Sequence, residues 1–407
     1  KDFCFNQIVP DYFSRTKNGV YSDGSCCGND TASERSMVRK YIVDSVKYWA
    51  DEYHMDGFRF DLVGLLDVET INDIVATVHQ THPNVIFYGE GWTMDTKLTK
   101  PDVIMATQPN AFRTPDFAYF SDTMRDLLRG YVFEDTYKVY VAGEPGQEHL
   151  LEQCFMACPD WCPEPIQSVN YASCHDNMSL FDRLAVSAPE CSEAERIQMN
   201  KLAAAIVMTS QGVPFLQAGE EMLRSKPRGD GTFEHNSYAS PDAVNSIKWN
   251  DLAKPEYAAV ADYYRGLIAL RQAHPTLRLD SAEQIRQQVF PLDGMEPNVV
   301  GFHLRGDVDD PAQAMMVFFN ANKTPVTVNL PKGKWNVCVN AERAGIEPLA
   351  VVEETAVVDP ICALVLTLDP PVAREGGART ALLIGGIAAA AAAIGGTVVY
   401  LNRKKKK

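Results

Sequence analysis

The sequence has too little positive charge for a nucleic-acid-binding protein. Its 407 residues include 38 Lys and Arg against 53 Asp and Glu, and the net charge is −15 at pH 7. Binding to a phosphate backbone needs clustered Lys and Arg. We therefore expect no nucleic-acid partner, and the charge suits a neutral substrate or simple solubility.

A zinc-binding cysteine pattern is also absent. The segment CFMACPDWC places Cys154, Cys158 and Cys162 four residues apart, whereas zinc knuckles use CxxC pairs. Two interpretations of the ten cysteines remain open: some form disulfides, or most are free structural thiols. The sequence does not reveal any pairing.

The chain begins at Lys1 without Met and without a signal peptide. Its first residues, KDFCFNQIVPDYF, have the character of the interior of a domain. We therefore expect that an N-terminal part of the protein precedes this sequence.

Charge is absent near the C-terminus, from Thr380 to Asn402. About 20 apolar residues are enough for a helix that crosses a bilayer, so residues 380–402 are predicted to be a transmembrane helix after a linker at 370–379. The basic residues 403–407 would stay in the cytoplasm, which predicts an anchored protein at the cell surface with a lipid bilayer as partner. The alternative is a buried Ala-rich helix or a disordered tail.

Apolar residues at helical spacing predict one helix from about Ala32 to His54, with Ser33 as its N-cap, and a second helix in residues 67–82. Apolar runs alternate with such helical patterns as far as Asp280. This alternation is typical of a parallel sheet built from βα units, so residues 1–280 are predicted to be an α/β domain. Short strands separated by turn residues follow, which predicts an all-β antiparallel sandwich at residues 281–369. The fold class is thus α/β followed by all-β.

Two carboxylates close neighbouring predicted strands. Asp61 ends GFRFD, and Glu90 ends VIFYGE. Adjacent strands lie about 4.8 Å apart, so we expect the two carboxyl groups about 5–6 Å apart, which is the geometry of a retaining glycosidase. Arg59 lies two residues before Asp61 on the same side of the strand and would keep Asp61 ionised. A structural Arg–Asp ion pair without catalysis is the alternative.

A later strand end carries His175, Asp176 and Asn177. These side chains could bind sugar hydroxyls, and Asp176 could stabilise a positively charged transition state. A hydrogen-bonded turn would explain the same residues. Glu220 and Glu221 close another strand, where a structural role at the rim is the simpler interpretation.

Three segments, GFRFDLVGLLD, FYGEGW and VNYASCHDN, resemble three of the four short regions that characterise the α-amylase superfamily. DLVGLL and GEGW, together with CGNDTASER at residues 27–35, are similar to the type I pullulanases, which cleave α-1,6 branches of α-glucans. The resemblance covers about residues 1 to 370 and includes the β-domain.

The resemblance implies an eight-stranded (β/α)8 TIM barrel. It also implies a nucleophile at Asp61, a general acid/base at Glu90 and a transition-state stabiliser at Asp176. Arg59 and His175 match substrate-binding residues, and Trp92 matches an aromatic residue that would stack on a glucose ring. Asn177 is assigned to substrate binding with them. The resemblance implies that no cofactor is required. Members of the family often carry Ca2+, and the sequence does not locate a calcium site.

One family region is missing, a DxxxNH-like stretch at the third barrel strand. We therefore expect the barrel to lack its first three strands in this chain, which is then the C-terminal part of a larger enzyme and of doubtful activity alone. Expected substrates are pullulan, amylopectin, limit dextrins and glycogen. Two alternatives stay open: a surface glycan-binding protein without turnover, and an amylopullulanase-type enzyme that also cleaves α-1,4 bonds.

Overall fold

Strands and helices alternate through the first part of the chain, as the sequence pattern predicts. A computed structural model of the protein describes residues 3–98 and 100–370. The strands of these residues, in chain order, are β1 Thr16–Lys17, β2 Val20–Tyr21, β3 Gly57–Phe60, β4 Ile86–Gly89, β5 Ala118–Phe120, β6 Ser168–Asn170, β7 Val213–Pro214, β8 Val289–Pro291, β9 Val299–Arg305, β10 Ala314–Asn320, β11 Val326–Asn329, β12 Trp335–Val339, β13 Ala350–Val352, β14 Thr355–Val358 and β15 Cys362–Leu368.

The helices connect and cover these strands. In chain order they are α1 Cys4–Ile8, α2 Ser36–Tyr53, α3 Val68–His79, α4 Asp122–Leu128, α5 Glu148–Phe155, α6 Leu180–Ser187, α7 Glu193–Thr209, α8 Asp242–Asn245, α9 Pro255–Ala273 and α10 Ala282–Gln288. Single 3₁₀ turns lie at Val63–Leu65, Gln108–Arg113, Tyr140–Ala142, Pro165–Gln167, Glu220–Met222, Trp249–Ala253 and Pro275–Leu277.

A five-stranded parallel sheet organises the first part of the chain. Its strands follow one another in chain order, β3-β4-β5-β6-β7, and every neighbouring pair is parallel. Within residues 3–98 and 100–370, the outer strands β3 and β7 do not pair with each other. The sheet is thus an open run of βα units, which agrees with the predicted partial barrel.

The two faces of this sheet have different surroundings because successive side chains of a strand point to opposite sides. Phe58 and Phe60 of β3 and Phe87 of β4 pack against the apolar sides of α2 and α3. Arg59 lies on the opposite, inner face, where its guanidinium stands 5.7 Å from the Phe120 ring. An Arg in the middle of an apolar strand is therefore directed away from the helices.

The second part is antiparallel, as predicted. A six-stranded sheet has the order β13-β12-β15-β10-β9-β8, and β11 pairs with β14 in a two-stranded sheet. Side chains of both sheets form one buried cluster, which includes Phe318, Val328 and Trp335. The alternating burial of β11 and β14 gives each of these strands one core face and one solvent face.

The helices of the first part and the six-stranded sheet share a single hydrophobic core. Phe155 of α5 stacks on Phe302 of β9 with ring centroids 3.8 Å apart, within a cluster that extends from Met124 to Val365. The chain accordingly forms one compact unit up to Asp369. The predicted domain boundary at residue 280 stays a prediction.

The fold class is corrected in one respect, because it included a C-terminal membrane-spanning helix and a bilayer partner. In the part of the chain that the structure describes, no helix is both long enough and apolar enough to cross a membrane. The predicted span at 380–402, most of the linker and the basic tail at 403–407 lie outside the described residues. Location at the cell surface stays a prediction.

Candidate active site

The candidate site begins at the end of β3. Arg59 contacts the carboxylate of Asp61, which lies immediately after the strand and is 69% exposed at its side chain. The next residue, Leu62, has a φ of 46°, an uncommon conformation for a branched residue. Such conformations are typical of functional sites, where the surrounding structure holds them. Here the turn directs the Leu62 N–H toward the neighbouring strand end.

Glu90 closes β4 and receives that N–H. The Leu62 N–H donates to Glu90 Oε2 at 3.1 Å, and the second terminal nitrogen of Arg59 lies 2.6 Å from Glu90 Oε1. Glu90 is only 6% exposed. One guanidinium therefore bridges an exposed carboxylate and a buried one, and it holds both at the same edge of the sheet, as predicted from the strand ends.

The electrostatics of the two carboxyl groups differ. Burial raises the pKa of Glu90, the Asp61 and Asp176 charges raise it further, and the Leu62 N–H and Arg59 oppose this. Asp61 is largely in solvent and pairs with Arg59. A buried carboxyl group with a raised pKa beside an exposed, ion-paired carboxylate is the arrangement that acid-and-nucleophile chemistry needs.

His175 and Asp176 follow β6 in an exposed turn. His175 Nε2 lies 3.5 Å from Asp176 Oδ1. A hydrogen bond with the Cys174 thiol raises the pKa of His175, burial opposes the rise, and the Asp176 charge adds to it. Because Asp176 also acts on the pKa of Glu90, the turn faces the same site.

Asn177 occupies a different position. It adopts a φ of 65°, and it lines a narrow crevice with Arg129, Asp135 and Arg183. Asn tolerates the left-handed region better than most residues. The structure thus gives Asn177 a clear role in shaping the turn, and its predicted contact with substrate stays a prediction.

Trp92 follows Glu90 by two residues and is half-buried. The Arg125 guanidinium stands 5.4 Å from its ring centroid, and the ring borders the inner apolar cluster of the sheet. Part of the indole surface is therefore covered by protein, which fixes the orientation of the ring at the site edge.

The sequence analysis missed the contribution of β5, which lies between the two strands that end in Glu90 and the His175 turn. Arg125, in the helix that follows β5, contacts Trp92, and its Nη1 lies 3.3 Å from the Tyr171 hydroxyl. The signal was available, because Ser121 and Asp122 end the strand FAYF at the same edge. Cys174 was also missed, although it directly precedes His175.

Metal binding has no geometric support in the described part of the chain. No group of three or more His, Cys, Asp or Glu side chains in residues 3–98 and 100–370 converges as a metal site would. Calcium binding stays a prediction from the family resemblance.

Both parts of the chain match models of known protein families. The family described as "Alpha amylase, catalytic domain" matches residues 27–278, and "Pullulanase, all-beta domain" matches residues 285–343. The pullulanase of Bacillus subtilis (strain 168) is 34% identical over 336 residues, which cover 80% of this chain and 45% of that protein.

Solved structures agree with these matches. The pullulanase from Bacillus acidopullulyticus has a TM-score of 0.83 at 38% identity. The match covers 89% of this chain and 44% of the Bacillus chain. The Paenibacillus barengoltzii pullulanase, in complex with maltohexaose and α-cyclodextrin, has a TM-score of 0.82 at 38% identity. The match covers 90% of this chain and 56% of the Paenibacillus chain. The chain spans about half the length of these relatives.

Proposed function

We propose, from the premise that this chain belongs to the α-amylase family, that it carries the catalytic groups of a retaining glycoside hydrolase. The substrate is an α-glucan with α-1,6 branch linkages, such as pullulan, amylopectin, limit dextrins or glycogen. The observation that carries the proposal is the Arg59 bridge between the exposed Asp61 and the buried Glu90. One guanidinium contacts both carboxylates, which favours the close spacing of a retaining pair.

The two carboxyl groups have opposite roles in the first step. Glu90, whose pKa is raised by burial, donates its proton to the glycosidic oxygen, while the Asp61 carboxylate attacks the anomeric carbon. The carbon–oxygen bond to the leaving sugar breaks as the bond to Asp61 forms. Arg59 contacts the Asp61 carboxylate and holds it at the edge of the sheet.

In the second step Glu90 acts as a base. Once Asp61 is esterified it no longer carries the charge that raises the pKa of Glu90. Arg59 then pairs with Glu90 alone, which favours the carboxylate. Glu90 can therefore accept a proton from water while the water oxygen attacks the anomeric carbon. The bond between this carbon and Asp61 breaks, and the sugar is released with its configuration retained.

His175, Asp176 and Trp92 support this chemistry at the sugar ring. Asp176 contributes negative charge near the anomeric centre, where positive charge develops in the transition state. The indole face of Trp92 suits the C–H surface of glucose. Similar solved pullulanases are in complex with maltotriose, maltotetraose or maltohexaose, which supports an α-glucan as the substrate of this site.

The first test is product analysis. We expect the full chain to release maltotriose from pullulan, whereas panose-like products would indicate α-1,4 cleavage. Asp61→Asn should reduce hydrolysis to background while thermal unfolding stays as in the parent chain, because the Asp61 side chain is mostly in solvent. Normal turnover by this variant would refute the assignment of the nucleophile.

A chain that binds maltotriose without turnover would instead favour a glycan-binding function. The structure gives a reason to test for this outcome, because the parallel sheet is open at β3 and β7 in the described residues. Calorimetric binding measured beside reducing-sugar release separates the two functions.

A further inference from the structure

A second buried carboxyl group lies close to the site and has no role in the mechanism above. Glu220 begins the 3₁₀ turn Glu220–Met222 that follows β7, and it is 4% exposed. Burying a carboxyl group is costly unless its oxygens are hydrogen-bonded. The Ser173 hydroxyl donates to Glu220 Oε2 at 2.6 Å, and the Tyr264 hydroxyl lies 3.1 Å from Oε1.

Ser173 connects this carboxyl group to the site. It is fully buried and precedes His175 by two residues. His175 and Asp176 themselves are exposed, at 59% and 55% of their side chains. The polypeptide before the turn is thus held by Ser173 on Glu220, and the polypeptide after it by Arg129, whose Nη1 donates to the Met178 carbonyl at 2.9 Å.

Tyr264 joins the same carboxyl group to a second helix. Its hydroxyl lies 3.1 Å from Glu220 Oε1 and 3.0 Å from the side-chain amide of Asn200. Both oxygens of Glu220 are therefore hydrogen-bonded inside the core, one to Ser173 and one to Tyr264.

Burial and the neighbouring groups act on the pKa of Glu220 in opposite directions. The net effect raises the pKa of Glu220 to about 7, and burial is the largest cause. The hydroxyl groups of Ser173 and Tyr264 lower the pKa, the Glu221 charge on the same turn raises it, and the Arg129 charge lowers it. Helix α7 presents the neutral amide of Asn200, and α9 presents the phenol of Tyr264.

We propose that Glu220 is a positioning residue, whose carboxyl group fixes Ser173 and thereby the His175–Asp176 turn. Without an acceptor at this position the Ser173 hydroxyl is buried without a partner, and the turn loosens. This role rests on the proposed function, because it concerns residues assigned to substrate binding and transition-state stabilisation.

The kinetic test compares three variants of the full chain on pullulan between pH 5 and 9. Glu220→Gln keeps an oxygen that can accept from the Ser173 hydroxyl, so it should retain kcat/KM within about threefold of the parent chain. Glu220→Ala leaves Ser173 and Tyr264 without a partner and should lower kcat/KM on the order of tenfold at every pH. Glu221→Gln, the same change at the next residue, is the matched control.

A second measurement does not depend on turnover. The imidazole resonances of His175 can be assigned by NMR from their loss in His175→Gln. We expect them to keep their positions in Glu220→Gln and to move or broaden in Glu220→Ala. Should Glu220→Ala not fold, Tyr264→Phe removes one contact of the carboxyl group, keeps Ser173, and should give a smaller change of the same kind.

Two outcomes would overturn the positioning role. One is a loss of kcat/KM in Glu220→Gln as large as that in Glu220→Ala, which would show that an acceptor for Ser173 is not what matters. The other is an unchanged His175 spectrum in a folded Glu220→Ala variant, which would indicate a purely structural carboxyl group. If the parent chain itself does not cleave pullulan, the proposed function fails, and the NMR comparison still decides the role of Glu220.

Discussion

At the scale of single residues, the site depends on one guanidinium between two unlike carboxyl groups. Arg59 lies on the inner face of β3 and contacts both Asp61 and Glu90. The Arg59 guanidinium also stands 5.7 Å from the Phe120 ring, so Arg59 has a structural as well as a chemical role. The difference between the carboxyl groups arises from burial, since Glu90 is enclosed and Asp61 is in solvent.

Glu90→Gln should remove a pH-dependent loss of stability. The pKa of Glu90 is raised in the folded state, so the folded chain keeps a proton that the unfolded chain releases above about pH 4.3. Stability therefore falls as the pH rises from that value to the raised pKa, and it stays level above it. We expect the variant to gain stability relative to the parent chain across this window, as measured by urea unfolding at several pH values.

The same variant tests catalysis. Loss of the general acid should lower kcat/KM on pullulan by about 10²- to 10⁴-fold. The matched control is Glu256→Gln, at an exposed position of α9. A variant whose relative stability is independent of pH would contradict the burial argument, whatever its activity.

At the scale of elements, the site depends on close packing between the chain segments after β3 and β4. The Gly64 N–H donates to the Glu90 carbonyl at 3.1 Å, and a Cβ at Gly64 would lie 2.0 Å from the Trp92 carbonyl oxygen. Only glycine allows this approach of two backbones. The segment that carries Trp92 is thereby placed by the turn that follows Asp61.

Gly64→Ala should therefore disturb the site, although Gly64 takes no part in the proposed reaction. The added methyl group meets backbone, which cannot rotate away, so we expect a loss of about 1–3 kcal/mol in the free energy of unfolding and a change in Trp fluorescence. Gly345→Ala is the matched control, because a Cβ there meets no atom within 4 Å. Equal stability of the two variants would contradict the close-packing argument.

The elements themselves are largely predictable. The helix predicted after Asp67 is observed as α3, capped by the Asp67 carboxylate, which accepts from the Thr70 N–H at 3.0 Å. The helix predicted from Ala32 begins later, at Ser36, and its predicted N-cap Ser33 instead accepts from the Asp67 N–H at 3.0 Å. This tertiary contact decides the helix start, and local sequence does not contain it.

At the scale of the whole molecule, the α/β part and the antiparallel part are joined through their cores. Phe155 is fully buried between Phe302 and Phe319 of the six-stranded sheet. The open parallel sheet, by contrast, leaves an apolar cavity of about 400 Å³ near the strand starts, where Ile86 is 58% exposed. Stability is thus concentrated where the two parts meet.

Phe155→Ala should lower the free energy of unfolding by about 3–5 kcal/mol. Because the core is shared, we expect the α/β part and the antiparallel part to unfold in one transition, both in the parent chain and in the variant. Calorimetry and far-UV circular dichroism measure this directly. Phe133→Ala, at a ring that is 85% exposed, is the control, and two separate transitions would contradict a common core.

The sequence by itself determined the α/β and antiparallel parts, because the period of apolar residues follows from helix and strand geometry. It also determined that Asp61 and Glu90 meet at one edge, because parallel strands in chain order bring their carboxyl ends together. It predicted a membrane-spanning helix as part of the fold class, and this was wrong as a description of the observed fold.

Only the tertiary structure decided how these residues act on one another. The burial of Glu90, the Arg125 contact with Trp92 and the Ser173–Glu220–Tyr264 network each join residues that are far apart in the chain. Burial and hydrogen bonding between distant residues depend on how whole elements pack. A local pattern of residue types therefore predicts which two carboxylates meet at the sheet edge, and the packing buries one of them and exposes the other.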